Sequence, residues 1–311
     1  MLANLFIGAD EVGSEVTRVA AIDCGTNSVR LLIADVVGDT LTDVSRRMEI
    51  VRLGQGVDKT GMLAPEALER TFAAMRGYAS EIVDEGAVTT RVVATSATRD
   101  AGNRNVFVDG VRAIFGVEPE VVTGDAEANL SFNGAVRGIS DPPGPYLVVD
   151  IGGGSTEFVV GSASVKGALS MDIGCVRLTE RHDADFTAMR TDIDAALAVV
   201  ADTVPVRDAQ TLVGLAGSVT TVAGIALGLP FYDSARIHHS RISAGDIHDV
   251  TERLLTMTRE ERAAIPVMHP GRVDVISAGA LILDRIVQDF GSAEVIVSEH
   301  DILDGIAWSM A

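Results

Sequence analysis

The stretches AAIDCGTNSVRLLIA (residues 20–34) and VVDIGGGSTEFVVG (residues 148–161) share one pattern. Each reads apolar run, aspartate, any residue, glycine, two residues, serine, and a second apolar run. Asp23 matches Asp150, Gly25 matches Gly152 and Ser28 matches Ser155, at a separation of 127 residues. That separation is the length of a common domain, so the chain reads as a duplicated architecture. Each copy predicts two strands joined by a tight turn, a β-hairpin whose tip exposes several backbone N–H groups beside one carboxylate. A glycine in regular structure costs ~0.5–1 kcal/mol relative to alanine. Three in a row, Gly152, Gly153 and Gly154, therefore imply a backbone that must turn sharply or meet a ligand closely.

Such a tip suits phosphate. Consecutive N–H groups form a concave anion site, and the serine hydroxyl adds one more donor. The aspartate can hold a divalent cation, and magnesium usually takes one or two carboxylates together with phosphate oxygens. Two tips facing each other would clamp a phosphate chain in a cleft between domains. Either hairpin alone is equally well an ordinary turn; it is the pair in register that carries the functional reading.

The rest of the chain alternates strands and helices, an α/β pattern. PEALERTFAAMRGYASEIVDEG predicts an amphipathic helix opened by Pro65 and ended by Gly86. TRVVATSATRDAGN predicts a strand running into a helix with Arg99 and Asn103 on one face. A helix, a short strand, a turn and a second helix containing Glu127 follow. RGISDPPGPY, residues 137–146, crowds prolines and glycines and marks the linker between an N-terminal domain, 1–136, and a C-terminal domain, 137–311. TLVGLAGSVTTVAGIALG predicts a strand ending at Gly217 and Ser218 and feeding a helix whose N-terminus meets an anion. VDVISAGALILDRIVQDFG, AEVIVSEH and DILDGIAWSMA predict a helix, a strand and a terminal helix.

Composition limits the partners. With 44 acidic against 25 basic residues, a net charge of −19, the chain has no basis for nonspecific nucleic-acid binding. A polyanionic substrate would have to be met by metal ions and local arginines. No apolar run approaches the ~20 residues that span a bilayer, and MLANLFIGAD lacks the basic residues of a secretory signal; a cytoplasmic location is the expectation. Cys24 and Cys175 are too few and too far apart for a disulfide framework or a zinc site. Lys59 and Lys166 lie outside any Gly-Lys-Ser/Thr context, which excludes a Walker-type nucleotide site. The histidines of IHHS and IHDV lack the further partners of a metal-dependent histidine site and read as surface or core residues.

Seven segments together resemble the Ppx/GppA exopolyphosphatase family of the actin/Hsp70/sugar-kinase superfamily: AAIDCGTNSVRLLIA, VVATSATRDAGN, VVTGDAEANL, LVVDIGGGSTEFVVG, SMDIGCVRLTE, GLAGSVTTVAGI and ISAGALIL. The quoted segments lie between residues 20 and 283, within a resemblance that runs from residue 19 to about residue 306. The resemblance implies two ribonuclease-H-like domains with the site in the cleft between them, and a terminal helix at about 301–311 that packs back on the first domain. It assigns catalysis to Glu127 and metal association to Asp150 and Glu157; the hairpin pattern itself adds Asp23 as a third metal candidate. It assigns phosphate contacts to Asn27, Ser28, Arg99, Gly152, Gly153, Gly154, Ser155, Gly217 and Ser218. It implies magnesium or manganese, a monovalent cation such as potassium, and a homodimer.

The implied activity is removal of the terminal phosphate from inorganic polyphosphate. The alternative is guanosine pentaphosphate (pppGpp), which would tie the protein to the stringent response. Longer family members carry a C-terminal helical region with no counterpart here, so short polyphosphates are the expected substrate. The first sixteen or so residues have no counterpart either.

Each assignment has a plainer reading. Glu127 in a first turn also serves as a helix cap, worth ~0.3–1 kcal/mol. Glu157 also fits a solvent-facing position on an edge strand, and Arg99 a helix surface. Asp150 ends an apolar strand, where an unpaired carboxylate is costly. An ATP-dependent kinase and a non-catalytic phosphate- or alarmone-binding regulator are the rival functions.

Overall fold

A computed structural model of the protein describes residues 16–38, 40–139 and 143–310. The opening segment without a counterpart, apart from Val16, lies outside the described residues, as do Ser140, Asp141 and Pro142 of the linker.

The first part of the chain runs β1 (Thr17–Cys24), β2 (Ser28–Val37), β3 (Thr40–Ile50), α1 (Val57–Thr60), α2 (Pro65–Glu85), β4 (Thr89–Ala94), α3 (Ser96–Asp100), α4 (Arg104–Phe115), β5 (Glu120–Val121) and α5 (Gly124–Val136). Its sheet has the order β3-β2-β1-β4-β5, antiparallel through β1, β2 and β3 and parallel through β1, β4 and β5. The second part runs β6 (Tyr146–Ile151), β7 (Thr156–Gly161), β8 (Val165–Met171), α6 (Cys175–His182), α7 (Phe186–Thr203), β9 (Thr211–Leu215), α8 (Ala216–Ala226), α9 (Ser234–Ile237), β10 (Arg241–Ser243), α10 (Ala244–Thr256), α11 (Arg259–Ala263), α12 (Ile276–Asp289), β11 (Glu294–Val297) and α13 (Ile302–Trp308). Its sheet order is β10-β11-β9-β6-β7-β8. Reading outward from β6, the antiparallel meander and the parallel pair repeat the first sheet. Both sheets are thus of the mixed, ribonuclease-H-like kind, and the repeated motif is the central hairpin of each.

The hairpins share a register. Gly25 N–H bonds Ser28 O and Gly152 N–H bonds Ser155 O, both at 3.0 Å. Asp23 is consequently paired with Arg30 across the first hairpin, and Asp150 with Glu157 across the second. Glu157 does not face solvent: β8 covers its strand, and the residue is 1% exposed.

Sequence and structure agree on α2, which starts at Pro65 and ends against Gly86 in the left-handed region, φ 71°. They part at Asn103. The helix carrying Arg99 ends at Asp100, and the Asn103 amide bonds both the N–H and the carbonyl of Leu63, at 2.8 and 2.9 Å. A short amide that satisfies backbone groups elsewhere competes with helix continuation, so the two side chains share no face.

Two helices tie the sheets together. α5 lays Ala128, Phe132 and Ala135 on the second sheet, against Val148, Val159 and Val213. α13 lays Ile302, Leu303, Ile306 and Ala307 on the first, against Val19, Ala21, Leu32 and Val93. Where they cross, backbone meets backbone. A Cβ on Gly134 would lie 1.9 Å from Asp301 O, and one on Gly305 would lie 2.0 Å from Leu130 O. Among the described residues, no helix is long and apolar enough to cross a membrane.

Helix propensity alone favours alanine over glycine by ~1 kcal/mol. At this crossing the sign should reverse. Gly134→Ala and Gly305→Ala should each destabilise the protein by about 1–3 kcal/mol, the range for overpacking. Urea denaturation of the two variants checks this; a gain in stability from either would contradict the close crossing.

Candidate active site

The tips of both hairpins, the start of α3, and the heads of α5, α8 and α13 converge on a cleft. Its cavity, of about 120 Å³, is lined among others by Asp23, Asn27, Ser28, Glu127, Asp150, Gly152, Gly153, Ser155, Gly217 and Ser218. Ten of the residues singled out in the sequence therefore meet in one small space. Three lie beside it. Arg99 is turned to Glu127, with Nη1 at 3.0 Å from Oε2, and donates to Val122 O at 3.1 Å. Gly154 sits flush against the head of α3 and the turn of the first hairpin: a Cβ there would lie 2.6 Å from Ser96 Oγ and 2.7 Å from Thr26 Oγ1. Glu157 lies behind the wall, where Ser170 Oγ donates to it at 2.7 Å.

Local structure explains these placements. Thr123 caps α5 by accepting from the Ala126 N–H, and the Glu127 N–H bonds Thr123 O at 2.9 Å. Glu127 thus sits in the first turn with its own N–H committed, and its side chain is free to reach the cavity. The predicted strand through Gly217 and Ser218 stops sooner, at Leu215, and both residues lie in the first turn of α8. A Cβ at Gly217 would lie 2.4 Å from the Arg272 guanidinium, so a larger residue there would displace the end of that side chain.

The two hairpins differ in charge. In the first, Asp23 Oδ2 accepts from Arg30 Nε and Nη2 at 2.9 and 2.7 Å, and Arg30 also binds Asp301 at the head of α13. Asp23 Oδ1 is buried and has no hydrogen-bond partner among the described residues. Burial pushes the Asp23 carboxyl above its ordinary range in spite of Arg30. Asp301 is also buried, but Arg30 outweighs that and holds it below the ordinary value. In the second hairpin the residue across from the aspartate is an acid. Asp150 accepts from Ser131 Oγ at 2.7 Å, yet burial, and then the Glu157 charge, push it up to about 8. Burial raises Glu157 as well, with the Ser155 and Ser170 hydroxyls working against the rise. Glu127 is raised well above its usual value by burial and by the Glu157 charge, against the pull of Arg99.

Three buried acids in mutual repulsion constitute an excess of negative charge that a cation would relieve. Among the described residues, no three acid, histidine or cysteine groups stand where they could enclose one ion. Arg30 and Arg272 line the cavity and were not singled out in the sequence. Arg30 was recoverable, since the Gly25–Ser28 turn fixes the residue across from Asp23. Arg272, in a short 3₁₀ turn far along the chain, carries no local signal.

The profile of the Ppx/GppA phosphatase family matches residues 32–311. Exopolyphosphatase 2 of Mycobacterium tuberculosis is 47% identical over 316 aligned positions, covering 95% of this chain and 99% of that protein. The crystal structure of an exopolyphosphatase-like protein superposes with a TM-score of 0.92 at 42% identity, covering 96% of this chain and 98% of the other. A Ppx/GppA family member from Aquifex aeolicus superposes at 0.80 with 30% identity, covering 95% and 98%.

The acids make a prediction about stability. A carboxyl whose folded pKa is raised stabilises the fold fully below its unfolded pKa, and that contribution disappears as pH rises through the folded value. For Asp150 the window runs from its ordinary value of 3.8 to about 8. With divalent cations chelated, stability should therefore fall between those limits. Asp150→Asn should flatten the fall and be the more stable protein at pH 8, as denaturation curves at pH 6 and pH 8 would show. An unchanged slope would refute the burial of charge at Asp150.

Proposed function

The chain belongs to the Ppx/GppA phosphatase family, and from that membership we propose that it is an exopolyphosphatase, removing the terminal phosphate of inorganic polyphosphate. One observation carries the reading: Glu127 lines the same small cavity as Gly152, Gly153 and Ser155. A carboxylate base and a turn rich in N–H donors face one space about the size of a phosphate group.

Phosphoanhydride hydrolysis needs an aligned water, a group to take its proton, and positive charge around the phosphoryl oxygens. Glu127 orients the water and accepts its proton as the oxygen–phosphorus bond forms and the bridging bond breaks. Burial and the Glu157 charge make ionised Glu127 a stronger base than a surface glutamate. Arg99 holds its carboxylate in place. N–H groups of the glycine turn, with Asn27, Ser28, Gly217 and Ser218, receive the phosphate oxygens. Arg30 and Arg272 add positive charge that the acidic exterior lacks.

Magnesium or manganese fits this donor set. Asp150 and Asp23 both line the cavity, and one Asp23 oxygen is buried with no hydrogen-bond partner among the described residues. One or two such carboxylates with substrate oxygens make a usual magnesium environment. When bound, the ion neutralises charge on the transferring phosphate. Glu157 acts on the site through its charge. A homodimer in the cytoplasm belongs to the same reading.

A second substrate is favoured by a neighbouring feature. Beyond Arg30, Gly217 and Arg272 the cleft opens into a recess of about 480 Å³ lined by Tyr232, Val267 and Met268. That volume lies within the ~300–1,000 Å³ of small-molecule pockets and would take the nucleoside of pppGpp.

Phosphate release from polyphosphates of defined length and from pppGpp, with magnesium, tests both. Glu127→Gln should reduce release by about 10²–10⁴-fold, the usual worth of a general base, with the fold intact. Chelation of divalent metal should abolish release, and addition of magnesium should restore it. Release from pppGpp alone would favour the second substrate, and an active Glu127→Gln protein would overturn the role of Glu127.

A further inference from the structure

The glycine turn takes its shape from α6. Three consecutive carbonyls face that helix. Gly152 O accepts from the Cys175 N–H at 3.0 Å, and Gly153 O accepts from the Val176 and Arg177 N–H groups at 2.8 and 3.0 Å. Gly154 O accepts from Arg177 Nε at 2.6 Å. These peptide bonds are trans, and across a trans peptide the carbonyl of one residue and the N–H of the next point to opposite sides. The N–H groups of Gly153, Gly154 and Ser155 are therefore turned away from α6. None of the three finds a protein acceptor among the described residues. The first two carbonyls are held by backbone amides that any sequence supplies. The third depends on one side chain.

That side chain also reaches the other lobe. Arg177 Nη1 donates to Asp58 Oδ1 of α1 at 2.6 Å, and Nη2 donates to Asp100 Oδ2, the last residue of α3, at 2.5 Å. All three guanidinium nitrogens are engaged, and the side chain is 12% exposed. Asp100 adjoins Arg99, which holds Glu127. One guanidinium thus touches the phosphate turn and, through Asp100, the helix that positions the base.

We propose that Arg177 is a positioning residue that makes the orientation of the Ser155 N–H conditional on closure of the cleft. With Asp58 and Asp100 in reach, the guanidinium is fixed and holds the Gly154 carbonyl, so the Ser155 N–H is held toward the substrate. With the lobes apart it loses Asp58 and Asp100 and keeps, besides the Gly154 carbonyl, only Asp172 of its own lobe at 3.6 Å, so the peptide is held less firmly. The inference rests on the phosphoanhydride reading of the cleft. It assigns to Arg177 a part in the chemical step beyond that of a latch between lobes.

The test is the kinetics of Arg177→Lys and of Asp58→Asn/Asp100→Asn on inorganic tripolyphosphate, with unfolding temperatures measured alongside. An ammonium cannot serve three separated acceptors as a planar guanidinium does. Arg177→Lys should lower kcat about tenfold or more, short of the ~10²–10³ lost when an oxyanion donor is deleted, with KM little changed. The double variant should shift kcat in the same direction. A Lys variant with wild-type kcat, or a loss confined to KM or to unfolding temperature, would overturn the proposal in favour of a simple latch. Should the wild type release no phosphate, the hydrolase reading fails separately. Binding of orthovanadate, which mimics the five-coordinate phosphoryl group, then decides. At least tenfold weaker binding in Arg177→Lys supports the proposal, and equal binding or none by the wild type overturns it.

Discussion

The crossing of α5 and α13 at Gly134 and Gly305 is the contact from which the arrangement of the cleft follows. Without side chains between them, the two backbones approach closely enough that each glycine faces a carbonyl of the other segment. α5 is packed on the second sheet and α13 on the first. Fixing the crossing therefore fixes one sheet against the other. It also brings both helix heads to the same cavity, Glu127 from α5 and Ile302 from α13. Asp301, the cap of α13, is bound by Arg30 of the first hairpin, and Arg46 of β3 binds Asp304 one turn on. Packing sets the approach of the two parts, and buried ion pairs set the register at the cleft.

Within that frame the duplicated hairpins have diverged in one decisive respect. The residue facing the aspartate is Arg30 in the first copy and Glu157 in the second. In the first, the Arg30 guanidinium pairs with Asp23 and offsets part of the cost of its burial, though that carboxyl still stays above its ordinary range. In the second, two acids and the nearby Glu127 share a space with too little positive charge, and all three carboxyls are pushed upward. Breaking charge balance inside a protein is expensive, and perturbed carboxyls clustered in a cleft mark functional sites. The same backbone thus carries an aspartate paired with an arginine in one copy and a pair of facing acids in the other.

The acidic exterior acquires a function in this light. A chain of net charge −19 repels long polyanions from most of its surface. Inside the cleft the balance is local, set by Arg30, Arg272 and unclaimed backbone N–H groups. Backbone donors carry no counter-acid and lose no rotamer entropy on binding, so a glycine turn suits an anion where free lysines are absent. Lys59 and Lys166, the two singled out in the sequence, both lie away from the cavity.

Much of this was legible in the chain. Local chemistry specifies the hairpins, because a turn flanked by apolar runs pairs its strands in one register, and that register alone fixes Asp23 opposite Arg30. Pro65, Gly86 and Thr123 bound their helices for reasons internal to the neighbouring residues. Asn103 was misplaced because the backbone it satisfies, at Leu63, is forty residues away in sequence. Glu157 had an equally good solvent-facing reading until β8 covered it. Arg99 was expected at the phosphate and is found beside Glu127, since pattern shows which face a residue lies on and not which neighbour it meets. Arg177 and Arg272 act through partners from distant segments. The sequence by itself determined the repeated turn, its glycines and its acids, since these follow from interactions within a few residues. Which acids are buried, which are neutralised, and which carbonyls of the glycine turn are taken up by α6 were decided only by the tertiary structure. Desolvation and charge pairing depend on what the fold brings alongside.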